Sequence, residues 1–122
     1  MRVFVDTSAW LAVYDKRDEH HRAAQALAGR LKAQRAELIL SDFVFAETLT
    51  LIRYRLNHPA AVRFGRGILE SRLARLVLLE EGGRRRAWDI FQRYDDKDFS
   101  FVDCTSFAIM EDLGLKTSFA FD

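Results

Sequence analysis

Four carboxylates occupy positions where an α/β chain would expose its chemistry. Asp6 closes the short apolar run that begins at Arg2, and Asp122 ends the last apolar run. Glu47 lies about one turn into the helical stretch behind Ser41-Asp42, and Asp103 opens the stretch before the last run. Glu47 is the most telling. Its neighbours at helical spacing are Phe43, Val44, Thr50 and Leu51, three of them apolar, so its carboxylate faces or borders the core. Burying an unpaired charge costs on the order of several kcal/mol or forces protonation. Each acid also has a plainer reading. Glu47 suits the edge of an apolar face, reaching water or an arginine. Asp6, followed by Thr7-Ser8, suits a helix cap, and Asp103 suits a first helical turn stabilised by the dipole. Gathered in one pocket, the acids would repel each other unless a cation or proton intervened. Hard oxygen ligands suit Mg²⁺ or Mn²⁺. An ion held this way can bind a phosphodiester, polarise it and deprotonate an attacking water.

The elements that must position these acids alternate. Arg2 to Asp6 reads as a buried strand, with Thr7 or Ser8 capping a helix over Ala9 to Tyr14. Asp15 to Asp18 is a polar break, and Glu19 to Gln34 carries Ala24, Leu27, Ala28 and Leu31 at helical spacing. Glu37 to Leu40 is a second strand, after which Ser41 or Asp42 caps a helix to about Leu56. Asn57-His58-Pro59 turns into a helix that runs to about Ser71, because proline suits a first helical turn. The third strand lies within Leu73 to Leu79 and is broken by Glu80-Glu81-Gly82-Gly83. Arg84 to Tyr94 is helical, Asp95 to Phe101 is an acidic loop, Asp103 to Leu113 is helical up to Gly114, and Lys116 to Phe121 is the last strand. This alternation predicts a layered α/β domain around a largely parallel sheet. Ligands of such sheets sit beyond the carboxyl ends of strands, near a topological switch point, where the acids can converge.

Four segments resemble the motifs of PIN-domain nucleases, in order. They are Val3-Phe4-Val5-Asp6-Thr7-Ser8-Ala9, Ser41-Asp42-Phe43-Val44-Phe45-Ala46-Glu47, the stretch Phe99 to Ala108 around Asp103, and Phe119-Ala120-Phe121-Asp122. The resemblance spans essentially the whole chain and implies a three-layer α/β/α sandwich with a mostly parallel central sheet. It implies Asp6, Glu47 and Asp103 as the core catalytic and metal-binding acids, with Asp122 as a fourth, more variable one. Thr7 or Ser8 would support the first acid by hydrogen bonding. Asp98 is a further candidate ligand, in a loop, Asp95 to Asp98, that also reads as simply solvated. The Asp-Thr-Ser opening most resembles the VapC-like toxins of toxin–antitoxin pairs. These are Mg²⁺- or Mn²⁺-dependent endoribonucleases, usually homodimers, silenced by a small antitoxin that blocks the acidic pocket. Members usually run a few residues past the fourth acid, whereas this sequence stops at Asp122. The non-enzymatic alternative is a PIN-like scaffold that binds RNA or a partner with little or no cutting. Such proteins typically lose acids, and here all four positions keep a carboxylate.

The remaining features bound the reading. At 122 residues the chain is expected to form one domain, 1–122, and 49% apolar residues suffice for a core. A net charge of +1 excludes no partner, since a balanced total can hide a basic face beside an acidic pocket. A single cysteine, Cys104, allows neither an intrachain disulfide nor a cysteine zinc site. No apolar run approaches a membrane span, and an acid at position 6 comes too early for a signal peptide, so a cytoplasmic location is expected. The arginines could contact RNA phosphates, although a solvated helix face explains most of them, and Arg84-Arg85-Arg86 could serve an antitoxin interface. His20, His21 and His58 read as surface residues, and Trp10 and Trp88 as core or dimer contacts. The apolar face between Phe43 and Ser71 is wide enough to serve partly as a dimer interface. Other Mg²⁺-dependent α/β folds fit poorly. A haloacid-dehalogenase-type phosphotransferase needs Asp-x-Asp where Asp6-Thr7-Ser8 stands, and a receiver domain needs a phosphoacceptor acid after a middle strand that here ends Leu79-Glu80-Glu81. A dinucleotide site needs glycines that the first turn lacks.

Overall fold

In the computed structural model, which describes residues 1–121, β1 (Arg2–Val5) is almost wholly buried, with Val3, Phe4 and Val5 each 2% exposed or less. An apolar strand with both faces covered belongs in the middle of a parallel sheet. β1 indeed sits between β2 (Glu37–Ser41) and β4 (Ser118–Phe119), and β3 (Arg75–Val77) lies beyond β2, giving the order β3-β2-β1-β4 with every pairing parallel. Helices α1 (Thr7–Tyr14) and α2 (His21–Ala33) connect β1 to β2, and α3 (Asp42–Arg55) and α4 (His58–Leu69) connect β2 to β3. The chain then returns to the opposite edge through α5 (Glu81–Arg93) and α6 (Phe101–Leu113). Right-handed crossovers put α1 to α4 on one face of the sheet and α5 with α6 on the other, which is the three-layer α/β/α sandwich expected from the sequence. The reversal of direction between β1 and β4 is the switch point.

The boundaries differ from the sequence reading for reasons of pairing. β3 stops at Val77 rather than Leu79 because its register, Ile39 to Arg75 and Ser41 to Val77, runs out where β2 turns into α3. The Leu79 amide donates instead to the Asp42 carboxylate at 3.0 Å. β4 is shorter than Lys116 to Phe121 because β1 offers only Phe4 and Val5 as partners before it ends. The helix expected from Arg84 starts earlier, at Glu81, so Gly82 and Gly83 lie in the first turn of α5. Gly83 is buried, and a Cβ there would meet Leu79 Cδ1 at 2.7 Å, so this position needs glycine for close packing rather than for a turn. Ser41 caps α3 by accepting from the Val44 amide at 3.0 Å, Asn57 caps α4 with Pro59 in its first turn, and Gly114 ends α6 in the left-handed conformation at φ 65°. Among the described residues, no helix is long and apolar enough to cross a membrane.

Phe64 on α4 is the hub of the layer that holds α1 in place. It is fully buried and meets Trp10 and Tyr14 edge-to-face, each at 5.4 Å, and Phe45 at 5.8 Å. The Trp10 indole N–H also donates to the Val5 carbonyl at 3.1 Å, tying α1 to the end of β1. Burial lifts the Tyr14 phenol above its usual pKa, while Arg63 pulls the other way. Truncating Phe64 removes ring contacts on three sides. Phe64→Ala is expected to cost about 3–5 kcal/mol in urea denaturation, with little change in the denaturant slope. A loss below about 1 kcal/mol would show that the aromatic hub does not carry this layer.

Candidate functional site

Asp6 sits one residue past β1, with extended backbone (φ −79°, ψ 162°), and it is itself the N-cap of α1. This corrects the expectation that Thr7 or Ser8 caps the helix. The Asp6 carboxylate accepts through Oδ2 from the Ser8 amide at 3.3 Å and the Ser8 hydroxyl at 3.0 Å. Ser8 is thus the residue that holds Asp6, while the buried Thr7 Oγ1 has no partner among the described residues. Ser8 Oγ also accepts from the Phe121 amide at 2.8 Å, so one hydroxyl links the first acid to the segment leading to Asp122. His20 stacks on Phe121 with centroids 4.6 Å apart and planes within 7°, and so packs against the same segment. Asp122 itself lies outside the described residues.

Asp103 is fixed in a similar way at the other helix that ends near the sheet. Ser100 is the N-cap of α6 and Asp103 its third residue, forming a capping box. The Asp103 amide donates to Ser100 Oγ at 3.0 Å, and Asp103 Oδ2 accepts from the Ser100 amide at 2.9 Å. The helix therefore starts at Phe101, two residues before the expected boundary, because its cap lies in the predicted loop. Asp6 and Asp103 both line a cleft of about 500 Å³, whose floor comes from Phe4 of β1, Ser118 of β4 and Ala120 just past β4. It opens at the switch point between these two strands, where the topology places ligands. Asp98 lines it too.

Glu47 is not part of that lining. It is half-buried on α3, which packs against both α1 and α6. Phe43, one turn earlier on the same helical stripe, meets Phe101 of α6 at 6.0 Å, so the stripe carrying Glu47 runs toward the start of α6. Among the described residues no three His, Cys, Asp or Glu side chains come close enough to hold one ion. In place of the tight cluster expected from the sequence, Asp6, Asp98 and Asp103 line one cleft and Glu47 does not. Repulsion between like charges disfavours a tighter cluster without a cation, and cap donors at each helix start orient Asp6 and Asp103.

The donors nevertheless fit a hard divalent cation. Asp6 and Asp103 each commit Oδ2 to capping hydrogen bonds, leaving Oδ1 without a hydrogen-bond partner among the described residues. Ser106 Oγ, also in the cleft lining, is buried and has no partner there either. Free carboxylate oxygens beside an unpaired hydroxyl are ligands for Mg²⁺ or Mn²⁺ and its waters. Cys104 offers no alternative chemistry. It is fully buried, and burial, with the Asp103 carboxylate adding to it, pushes its thiol up from the usual range. The three histidines are not brought together. His21 Nδ1 lies 2.7 Å from the Ala12 carbonyl, His20 stacks on Phe121, and His58 starts α4. Arg86 is no free interface residue, since it pairs with Asp112 across α5 and α6. Trp10 is core, whereas Trp88 is half-exposed.

Sequence reasoning missed Ser106, Phe107 and Lys97, which also line the cleft. A signal was present for the first two. Asp103, Ser106, Phe107 and Met110 follow the i, i+3, i+4, i+7 spacing of one helix face, so placing Asp103 in a site places the others beside it.

The chain belongs to the PIN-domain family, whose profile matches residues 3–122. Within that family it is similar to VapC20 of Mycobacterium tuberculosis, a 23S rRNA-specific endonuclease. The two are 36% identical over 121 residues, which cover 98% of this chain and 88% of that protein. It is 29% identical over 118 residues to a VapC ribonuclease of Archaeoglobus fulgidus, across 95% of this chain and 74% of the relative. The crystal structure of the M. tuberculosis VapC20, a sarcin–ricin-loop-cleaving toxin, superposes with a TM-score of 0.87, covering 98% of this chain and 89% of that one.

Because Ser8 orients Asp6 and ties down Phe121, Ser8→Ala is expected to lower divalent-ion affinity by about 10- to 100-fold. Stability should fall by only about 1 kcal/mol. Titrating Mn²⁺ by calorimetry and following urea unfolding separates the two effects. Unchanged affinity would show that Asp6 needs no such support.

Proposed function

We propose that this chain is a metal-dependent endoribonuclease of the VapC toxin type, hydrolysing RNA phosphodiester bonds. The observation that carries this reading is the meeting of Asp6 and Asp103, from opposite ends of the sequence, in one cleft at the switch point of a PIN-domain chain. On this reading residues 1–122 act as one nuclease domain. Asp6, Glu47, Asp103 and Asp122 hold Mg²⁺ or Mn²⁺, with Asp98 at the rim of the same cleft.

The bound ion would supply Lewis acidity toward the phosphate and acidify a water. The chain's own residues do the rest. Ser8 and the α1 amide fix one oxygen of Asp6, and Ser100 fixes one of Asp103, so the free oxygens are presented with little rotational loss. Glu47, on α3, would add a further negative charge to balance the ion's.

The partners follow from the same reading: an RNA substrate, a cognate antitoxin that covers the acidic cleft, and a second copy of the chain, all in the cytoplasm. Large apolar side chains on the α3–α4 hairpin stand in solvent, with Tyr54 77% and Leu69 61% exposed, which supports a homodimer. Sedimentation equilibrium is expected to give twice the chain mass of 14.1 kDa at micromolar concentration, and a monomer at high concentration would reject the dimer.

The RNA named for VapC20, 23S rRNA, is the first substrate to test. Cleavage with Mg²⁺ or Mn²⁺ is expected to disappear in EDTA and to fall by at least about a hundredfold in Asp6→Asn. Cleavage that persists without metal, or full activity in the variant, would reject the mechanism. A well-folded protein that binds RNA without cutting it under any divalent ion would mark a scaffold.

A further inference from the structure

The cleft is not uniformly acidic. Beside Asp6, Asp98 and Asp103 it is lined by Phe99, Phe107 and Met110, and Lys97 is its one cation among the described lining residues. Phe107 is 39% exposed, which is unusual for a phenylalanine on a helix whose neighbours Cys104, Thr105, Ser106 and Ala108 are buried. It meets Phe99 edge-to-face at 4.9 Å and 76°. In such a pair each ring keeps at least one face clear of the other, so Phe107 has a face for a further planar group. Phe99 is backed by Tyr94 at 6.2 Å, which steadies the pair. Ser106, next to Phe107, is 6% exposed, and its Oγ in the cleft wall has no partner among the described residues. An unpaired buried hydroxyl costs about 1–3 kcal/mol, a cost that a polar ligand group would remove. Lys97 has no ion pair among the described residues, although Asp96 and Asp98 flank it in sequence.

An aromatic face, a free ammonium and an unpaired hydroxyl beside a phosphodiester-cleaving centre match the parts of one nucleotide. The geometry points to a nucleotide subsite in which a single unstacked base lies on Phe107, Lys97 contacts a phosphate flanking the scissile bond, and Ser106 Oγ hydrogen-bonds the backbone. A paired base presents no face, because its neighbours in the duplex cover it. The subsite therefore selects unpaired, splayed RNA over helical RNA, as stacking platforms do. Phe107 and Lys97 act on substrate placement, whereas the acids act on the bond. The identity of the ligand rests on the nuclease reading above, but the binding measurement does not need cleavage.

The test uses the full chain and a fluorescein-labelled single-stranded oligoribonucleotide of mixed sequence, alone and annealed to its complement, with anisotropy read in EDTA and in Ca²⁺. Phe107→Ala and Phe107→Leu are each expected to weaken single-strand binding about tenfold or more, while Phe107→Trp stays near the parent. Duplex binding should be weak and unchanged in all three. An RNA with 2-aminopurine in place of one base should lose fluorescence on binding the parent and the tryptophan variant but not the alanine variant. Thermal unfolding verifies that each variant is folded. Where the parent cleaves, KM should rise in Phe107→Ala much more than kcat falls. Equal affinity in the alanine variant, parent-like binding in the leucine variant, or no single-strand binding by the parent in either buffer would overturn the subsite. If the parent binds with this Phe107 dependence but never cleaves, the nuclease reading fails and the subsite stands. If it cleaves and Phe107→Ala changes neither affinity nor KM, the subsite fails and the nuclease reading stands.

Discussion

Ser8 Oγ makes two hydrogen bonds, one given to Asp6 Oδ2 and one taken from the Phe121 amide. Three parts of the chain meet there: the end of the central strand, the start of α1, and the segment past β4. β4 is only two residues long and pairs with β1 over Phe4 and Val5. A pairing so short would fray without further ties. The Asp6 amide supplies one by donating to the Phe119 carbonyl at 3.0 Å, and Ser8 supplies the next. Without this strand beside β1 there is no switch point, and the cleft loses Ser118 and Ala120 from its floor.

Two acids of the site belong to helix caps, Asp6 as the N-cap of α1 and Asp103 as the third residue of the α6 capping box. A helix N-terminus offers unpaired N–H groups and the positive end of its dipole. A carboxylate there is held in orientation by one oxygen, while the other stays free for a ligand. The plain and the functional readings of Asp6 and Asp103 therefore describe the same geometry. Capping alone does not pick out the site, because Asp15 and Asp18 accept turn amides in the same manner and Asp42 accepts from Leu79. Position relative to the sheet makes the difference. Asp6 and Asp103 lie where β1 and β4 diverge, and the others do not.

The second wall of the cleft depends on how closely α6 packs on α5. Ala87 meets Cys104 and Ala108 in a small cluster of its own, and Arg86 pairs with Asp112 further along. Small side chains let the two helices approach, and Gly83 lets α5 sit against Leu79. This support turns one face of α6 toward the cleft, presenting Asp103, Ser106, Phe107 and Met110 as a row. Cys104 therefore serves as a small buried residue between helices, one position from Asp103.

Much of this was legible in the chain itself. Periodicity and turn residues marked ten elements in their correct order, and a buried run such as Val3-Phe4-Val5 announced a central strand, because the local pattern of apolar residues survives into the fold. The motifs around Asp6, Glu47 and Asp103 announced the family. Strand ends were not legible, since β3 and β4 stop where β2 and β1 run out of partners, a matter of register between distant segments. Nor was the role of Ser8 as a tether, for its acceptor role is filled by an amide 113 residues away. The acids of the cleft were named by sequence, but its aromatic wall, the unpaired Ser106 and the absence of Glu47 from the lining were decided only by the packing of the helices. Residue type and local spacing specify what a side chain can do; which groups share a cavity is set by contacts between segments far apart in sequence, and these exist only once the layers have closed.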